Sequence, residues 1–143
     1  MPRFLVDFFP NVSNYWDIFL TALTATYQMF FIAGLITLLI GGAFGISLIV
    51  TKTDGIKPNR IIHFILEVIT NVFRAVPFII LLIFLIPLTR SIAGTSIGVK
   101  GAVVPLVFGA VPFYTRQVET ALADVNPGKI EAARSMGSST LGI

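Results

Sequence analysis

A chain of 143 residues that is 55% hydrophobic and only 12% charged does not carry the charge of a soluble domain, which is about a quarter charged. Its apolar residues fall in blocks long enough to cross a bilayer, which makes it all-α: a polytopic transmembrane helical bundle in contact with lipid. No cysteine and one histidine exclude a disulfide framework, thiol chemistry and a Cys/His metal cluster. The net charge of +3 comes from Lys and Arg at block ends, without the basic, aromatic-interleaved stripe that nucleic acid requires.

Residues 1–17 hold Arg3, Asp7 and Asp17 among aromatics, and Pro10 and Asn11 break any long helix. One positive charge and no small-residue cleavage site argue against a signal peptide. Tyr15 and Trp16 read as interface anchors, and Asn14 as the cap of the first long helix. From Ile18 to Val50 there is no charge. That length makes about 50 Å of helix against roughly 30 Å of hydrocarbon, so the span is tilted or begins in the interface, with the crossing at about Tyr27–Val50. Gly41 and Gly45 form a GxxxG face, with Gly34 two turns earlier on a similar side. This pattern fits close helix packing, and equally the ordinary glycine content of membrane helices.

The connector Lys52–Arg60 carries three basic residues and belongs in the cytoplasm. His63 follows as an interfacial residue. The second block, Ile61–Leu88, contains Glu67, Asn71 and Arg74, with Pro77 kinking the helix and Pro87 ending it. A charge at mid-bilayer costs about 2.5–3.5 kcal/mol on insertion scales, so these groups should face protein or water. Arg90–Lys100 reads as a glycine-bearing outer loop. The third block, Ala102–Ala123, carries Pro105, Gly109 and Pro112, then Arg116 and Glu119. Freed carbonyls at its prolines need neighbours, which places this helix centrally. The expected spans are 18–50, 61–88 and 102–123. The N-terminus and loop 89–101 lie outside, and 51–60 and 124–143 inside.

The last polar stretch, Asn126–Gly137, reads as one short helix. Asn126 caps it, Pro127 suits its first position, and Gly137 supplies the left-handed residue that ends it. Ile130, Ala133 and Gly137 share a face, and Glu131 and Arg134 point elsewhere. Physical grounds alone favour a solvated helix between spans. The spacing Glu131-Ala132-Ala133 with Gly137, preceded by Asn126-Pro127-Gly128, resembles the EAA loop of ABC-transporter permease subunits.

The resemblance extends over Phe73–Gly137. Phe73-Arg-Ala-Val-Pro-Phe78 looks like the Arg-x-x-Pro segment of amino-acid importers. Ile86-Pro-Leu-Thr-Arg90, Gly94-Thr-Ser-Ile-Gly98, Val104-Pro-Leu106 and Pro112-Phe113 with Arg116, Val118 and Glu119 are most similar to bacterial methionine permeases. Such a resemblance implies a multi-pass permease of the bacterial inner membrane. It also implies a second permease copy, an ATPase subunit that binds the ATP and docks on the EAA loop, and a binding protein that delivers the amino acid. The permease needs no cofactor of its own. Family permeases have about five spans, with this loop after the third. The chain ends inside the loop at Ile143, so residues 1–143 read as a partial transmembrane domain with a truncated coupling loop 124–143. A membrane enzyme built on Glu67 and Arg74, or on Arg116 and Glu119, would lack a metal site and a nucleophile with its base, so no catalytic residue is assigned.

Depth along the helices gives one further expectation. Glu67 lies roughly 9 Å from the inner boundary and Arg116 roughly 10 Å, which brings an acid and a base to one level as a pair. Arg74 lies a further ~10 Å in. It has no acid at its depth and should face water, backbone carbonyls or the remaining spans.

Overall fold

In the computed structural model, which describes residues 14–139 and 142, a long helix α1 (Trp16–Thr51) leads into α2 (Arg60–Ala75) and two short helices, α3 (Phe78–Phe84) and α4 (Ile86–Ala93). Helix α5 (Gly98–Ala123) and the short α6 (Pro127–Ser135) follow. The expected break at Pro10–Asn11 and the charge of Arg3 lie outside the described residues. By length and composition α1 and α5 can each cross a membrane, and the bent pair α2 and α3 would make a third crossing. Exposed Leu, Ile and Phe side chains cover these helices, as a lipid-facing surface requires.

Local sequence sets the element ends, not always as expected. Tyr15, not Asn14, occupies the cap of α1 and makes no side-chain bond there. Asn59 caps α2 by accepting from the backbone N–H groups of Ile61 and Ile62. Pro77 does more than kink a continuous span 61–88. It offers no N–H and forces the preceding Val76 into an extended conformation, and the chain turns by 104° between α2 and α3. Pro87 ends nothing; it sits in the first turn of α4, where its missing N–H costs no bond. Residues 90–93 are therefore helical, the loop expected at 89–101 shrinks to 94–97, and α5 begins at Gly98 rather than Ala102.

Helix α5 is central: it packs against α1, α2, α3 and α4. The buried residues of α1 are Ala33, Thr37, Gly41 and Gly45, a stripe of small side chains at i, i+4 spacing, followed by Leu48 three residues on. Helix α5 buries Gly101, Pro105, Pro112 and Thr115. Small residues let two backbones approach, and Thr115 Oγ1 closes the contact by donating to the Gly41 carbonyl at 3.3 Å. The seam follows the i±4 ridge of α1 and passes Gly34 by, so that glycine has no neighbour within 4 Å of where a Cβ would stand.

At Gly45 a Cβ would meet Val118 Cβ at 2.6 Å and the Thr115 carbonyl at 2.8 Å. Gly45→Ala should therefore push α1 off α5 and cost about 1–3 kcal/mol, as overpacking does. Gly34→Ala should leave stability unchanged or raise it. Thermal unfolding midpoints of the two variants in detergent check this, and equal midpoints would remove the seam's role.

Candidate functional site

Two polar features stand out from the apolar bundle. The first is α6. Asn126 caps it, with its side chain accepting from the Gly128 N–H at 2.8 Å, and Pro127 takes the first turn. At the other end Gly137 adopts φ +79°, so that its N–H reaches the Arg134 carbonyl and the Ser138 N–H reaches that of Ala133. This is a Schellman closure, which the left-handed glycine makes possible. None of the α6 residues is buried. Glu131 and Ala132 are exposed, and Ile130 and Ala133 are half-buried. Among the described residues, one side-chain hydrogen bond ties the helix to a distant segment: Arg134 Nη2 donates to the Ile56 carbonyl in the connector 52–59, at 3.4 Å. The connector and α6 therefore share one end of the bundle.

The second feature joins α2 to α5. Arg116 is its hub. Nη1 donates to Glu119 Oε2 at 2.6 Å, one turn along the same helix. Nη2 donates to Asn71 Oδ1 at 2.9 Å and lies 3.6 Å from Glu67 Oε1, both on α2. Glu67 in turn lies 3.8 Å from His63 Nε2, and His63 Nδ1 donates to the Leu48 carbonyl of α1 at 3.0 Å. His63 thus links α2 to α1. Glu67 and Arg116 do meet, but Glu119 and Asn71 are the shorter contacts of the guanidinium. Sequence reasoning left His63 and Asn71 out of the cluster, although residues 63, 67 and 71 repeat every four positions along one face of α2.

Arg74 is not part of this cluster. Its guanidinium carbon stands 5.4 Å from the centroid of the Phe113 ring on α5, a cation–π contact. Pro77 lies at the break just beyond it. Gly109 lets the Phe78 ring of α3 lie against α5, since a Cβ there would come within 2.9 Å of that ring. Pro112 is buried in α5, and its neighbours Val111 and Tyr114 stand against Gly41 of α1.

The sequence profile of the family described as binding-protein-dependent transport system inner membrane component matches residues 41–143. The D-methionine transport system permease protein MetI of Salmonella typhimurium is 46% identical over 118 residues, covering 82% of this chain and 54% of the relative. The protein of the same description from Escherichia coli (strain K12) is 45% identical over the same share of each. Among solved structures, the MetNI methionine ABC transporter in an inward-facing conformation superposes with a TM-score of 0.80 at 44% identity. That match covers 83% of this chain and 55% of the other. The chain spans about half the length of the curated relatives it matches.

Proposed function

The chain belongs to the family of binding-protein-dependent transport system inner membrane components, and from that premise we propose that it forms part of the membrane path of an ATP-driven methionine importer. The observation that carries this is the identity of about 45% to D-methionine permeases over 118 residues, with the family profile spanning the broken span, α5 and the exposed α6. An apolar bundle supplies a path but no energy source, and α6 offers a polar, unburied surface at one end. An ATPase subunit that binds and hydrolyses ATP docks there, with Asn126, Pro127, Gly128, Glu131, Ala132, Ala133 and Gly137 forming the contact helix and its two ends. A second permease copy completes the path, and a substrate-binding protein delivers methionine from outside.

The complete permease, reconstituted with its ATPase and binding protein, should accumulate radiolabelled methionine in vesicles only when ATP is supplied. Preferential uptake of another amino acid would assign a different substrate. No ATP-dependent uptake of any amino acid would remove the importer reading.

This function sets an orientation. The N-terminus lies outside, and the connector and α6 face the ATPase inside. Lys52, Lys57, Arg60, Lys129 and Arg134 then lie inside, against Arg3, Arg90 and Lys100 outside, which agrees with the positive-inside rule. The chain has no cysteine, so single cysteines report without background. In intact cells, an impermeant maleimide should label Ser96→Cys and spare Thr53→Cys. The reverse pattern would invert the orientation.

A further inference from the structure

The break between α2 and α3 opens a hollow of about 350 Å³ against α5, walled by Phe73, Phe78, Leu81 and Phe113 and carrying one charged side chain, Arg74. That volume is at the small end of the range for small-molecule sites, which suits a single amino acid and excludes a peptide. Arg74 lies at the end of about 21 Å of helix counted from Arg60, well inside a hydrocarbon layer of roughly 30 Å. Its position is costly for a cation, and such residues face a bundle interior or a solute pathway. Among the described residues Arg74 has no carboxylate partner. Its guanidinium rests over Phe113, which leaves the N–H edge of the fork unclaimed by any acid. The final turn of α2 forms part of the same wall. Its last carbonyls lack intrahelical donors, and Pro77 has no N–H to give them.

The other polar and hollow places in the bundle differ. The Arg116 cluster is occupied by its own two carboxylates and Asn71. A neighbouring hollow of about 280 Å³ between α1, α2 and α5 has Thr70 as its one polar side chain, with no charge to orient a zwitterion.

We propose that the hollow at the α2–α3 break holds an amino acid with an apolar side chain in transit, with Arg74 binding its carboxylate. The aromatic wall takes the side chain, and the end of α2 presents carbonyl acceptors to the ammonium. Discontinuous helices serve solutes this way because a break exposes backbone groups where no water competes. This assignment rests on the importer reading and adds to it a site and a binding residue.

The test uses the complete permease–ATPase complex in phosphatidylcholine nanodiscs with the diazirine analogue of methionine as photoprobe. Irradiation should label peptides covering 73–81 and 109–113. Methionine should compete, whereas methioninol, which lacks the carboxylate, should not. Arg74→Gln should lower labelling roughly tenfold to a hundredfold, the range for losing hydrogen bonds to a charged group. Arg74→Lys, which keeps a cation, should retain a larger part. Labelling confined to other segments, equal competition by methioninol, or equal labelling of Arg74→Gln overturns the site. Where Arg74→Gln does not assemble, the methioninol comparison on the unaltered complex decides alone. Labelling abolished by phosphatidylglycerol in the discs would give the guanidinium to a lipid headgroup, and also overturns it. ATP-driven uptake by the unaltered complex, run in parallel, separates the two readings: uptake without labelling removes the site and keeps the importer.

Discussion

Arg116→Met should destabilise the assembled permease by about 3–5 kcal/mol, the range for removing one partner of a buried ion pair. The guanidinium and the Glu119 carboxylate are 22% and 17% exposed, so neither is rescued by bulk water when the other is lost. Glu67 is different. Its side chain is 43% exposed and its oxygen stands 3.6 Å from Arg116, beyond hydrogen-bond length. Glu67→Gln should therefore cost no more than about 1 kcal/mol, as exposed pairs do. Asn71→Ala, which removes a neutral acceptor from a charged donor, should fall between the two at about 1.5–3 kcal/mol. The order Arg116, Asn71, Glu67 separates this arrangement from a simple Glu67–Arg116 pair, in which the two ionic variants would match. Exchanging Glu67 and Arg116 tests the same point. The exchange sets the new carboxylate at 116 against Glu119 and should recover little. Exchanging Arg116 with Glu119 should recover more. Thermal unfolding of the purified complexes measures all of these, and a loss below about 1 kcal/mol for Arg116→Met would mean a cluster open to water.

The parts of this fold that were legible in the sequence are those set by local chemistry. An uncharged run from Ile18 to Val50 has to be a membrane helix, and Asn126, Pro127 and Gly137 mark the two ends of α6 before any tertiary contact is known. What tertiary packing sets was not legible. Pro77 announces a disturbance, but neither the 104° size of the turn nor the place of Phe78 beside Gly109 can be read from local sequence. Gly34 and Gly41 lie seven apart and share a face in projection. The real seam runs along the i±4 ridge, through Ala33 and Thr37 instead. Pro87 was misread because proline ends one helix and starts another with equal ease, and only the neighbouring Leu85 joint decides between them. Depth alone brought Glu67 and Arg116 to one level. It carried no information on Asn71, an uncharged residue, or on Glu119, whose place one turn from Arg116 makes it the nearer acid. For Arg74 a depth count finds missing acids but does not find aromatic faces such as Phe113.

In the complete permease, Ala133→Leu and Gly137→Val should each lower ATP-driven methionine uptake by at least about tenfold, while membrane insertion stays normal. A loss of ~1.4 kcal/mol of docking free energy already gives that factor. The two act by different routes. Ala133, like Ile130, is half-buried on a helix whose other residues are exposed, and its small side chain lets a partner surface approach the α6 backbone. Leucine there holds the partner off, as at any small-residue contact. Gly137 works on the helix end. Its φ of +79° is a conformation that a β-branched residue adopts only with strain, about 1–2 kcal/mol for the left-handed region. Valine would release the bonds from the N–H groups of residues 137 and 138 to the Arg134 and Ala133 carbonyls and fray the last turn of α6. Neither substitution reaches the α1–α5 seam, so folding of the bundle has no reason to change. Arg134 provides the internal control. Its bond to the Ile56 carbonyl is long at 3.4 Å and exposed, so Arg134→Gln should alter thermal stability by no more than about 0.5 kcal/mol. ATP hydrolysis and uptake measured on the same proteoliposomes give the decisive ratio. Hydrolysis that continues while uptake fails places the damage at the contact between α6 and the ATPase. Uptake within twofold of the unaltered protein in both Ala133→Leu and Gly137→Val would return α6 to a solvated helix without a partner.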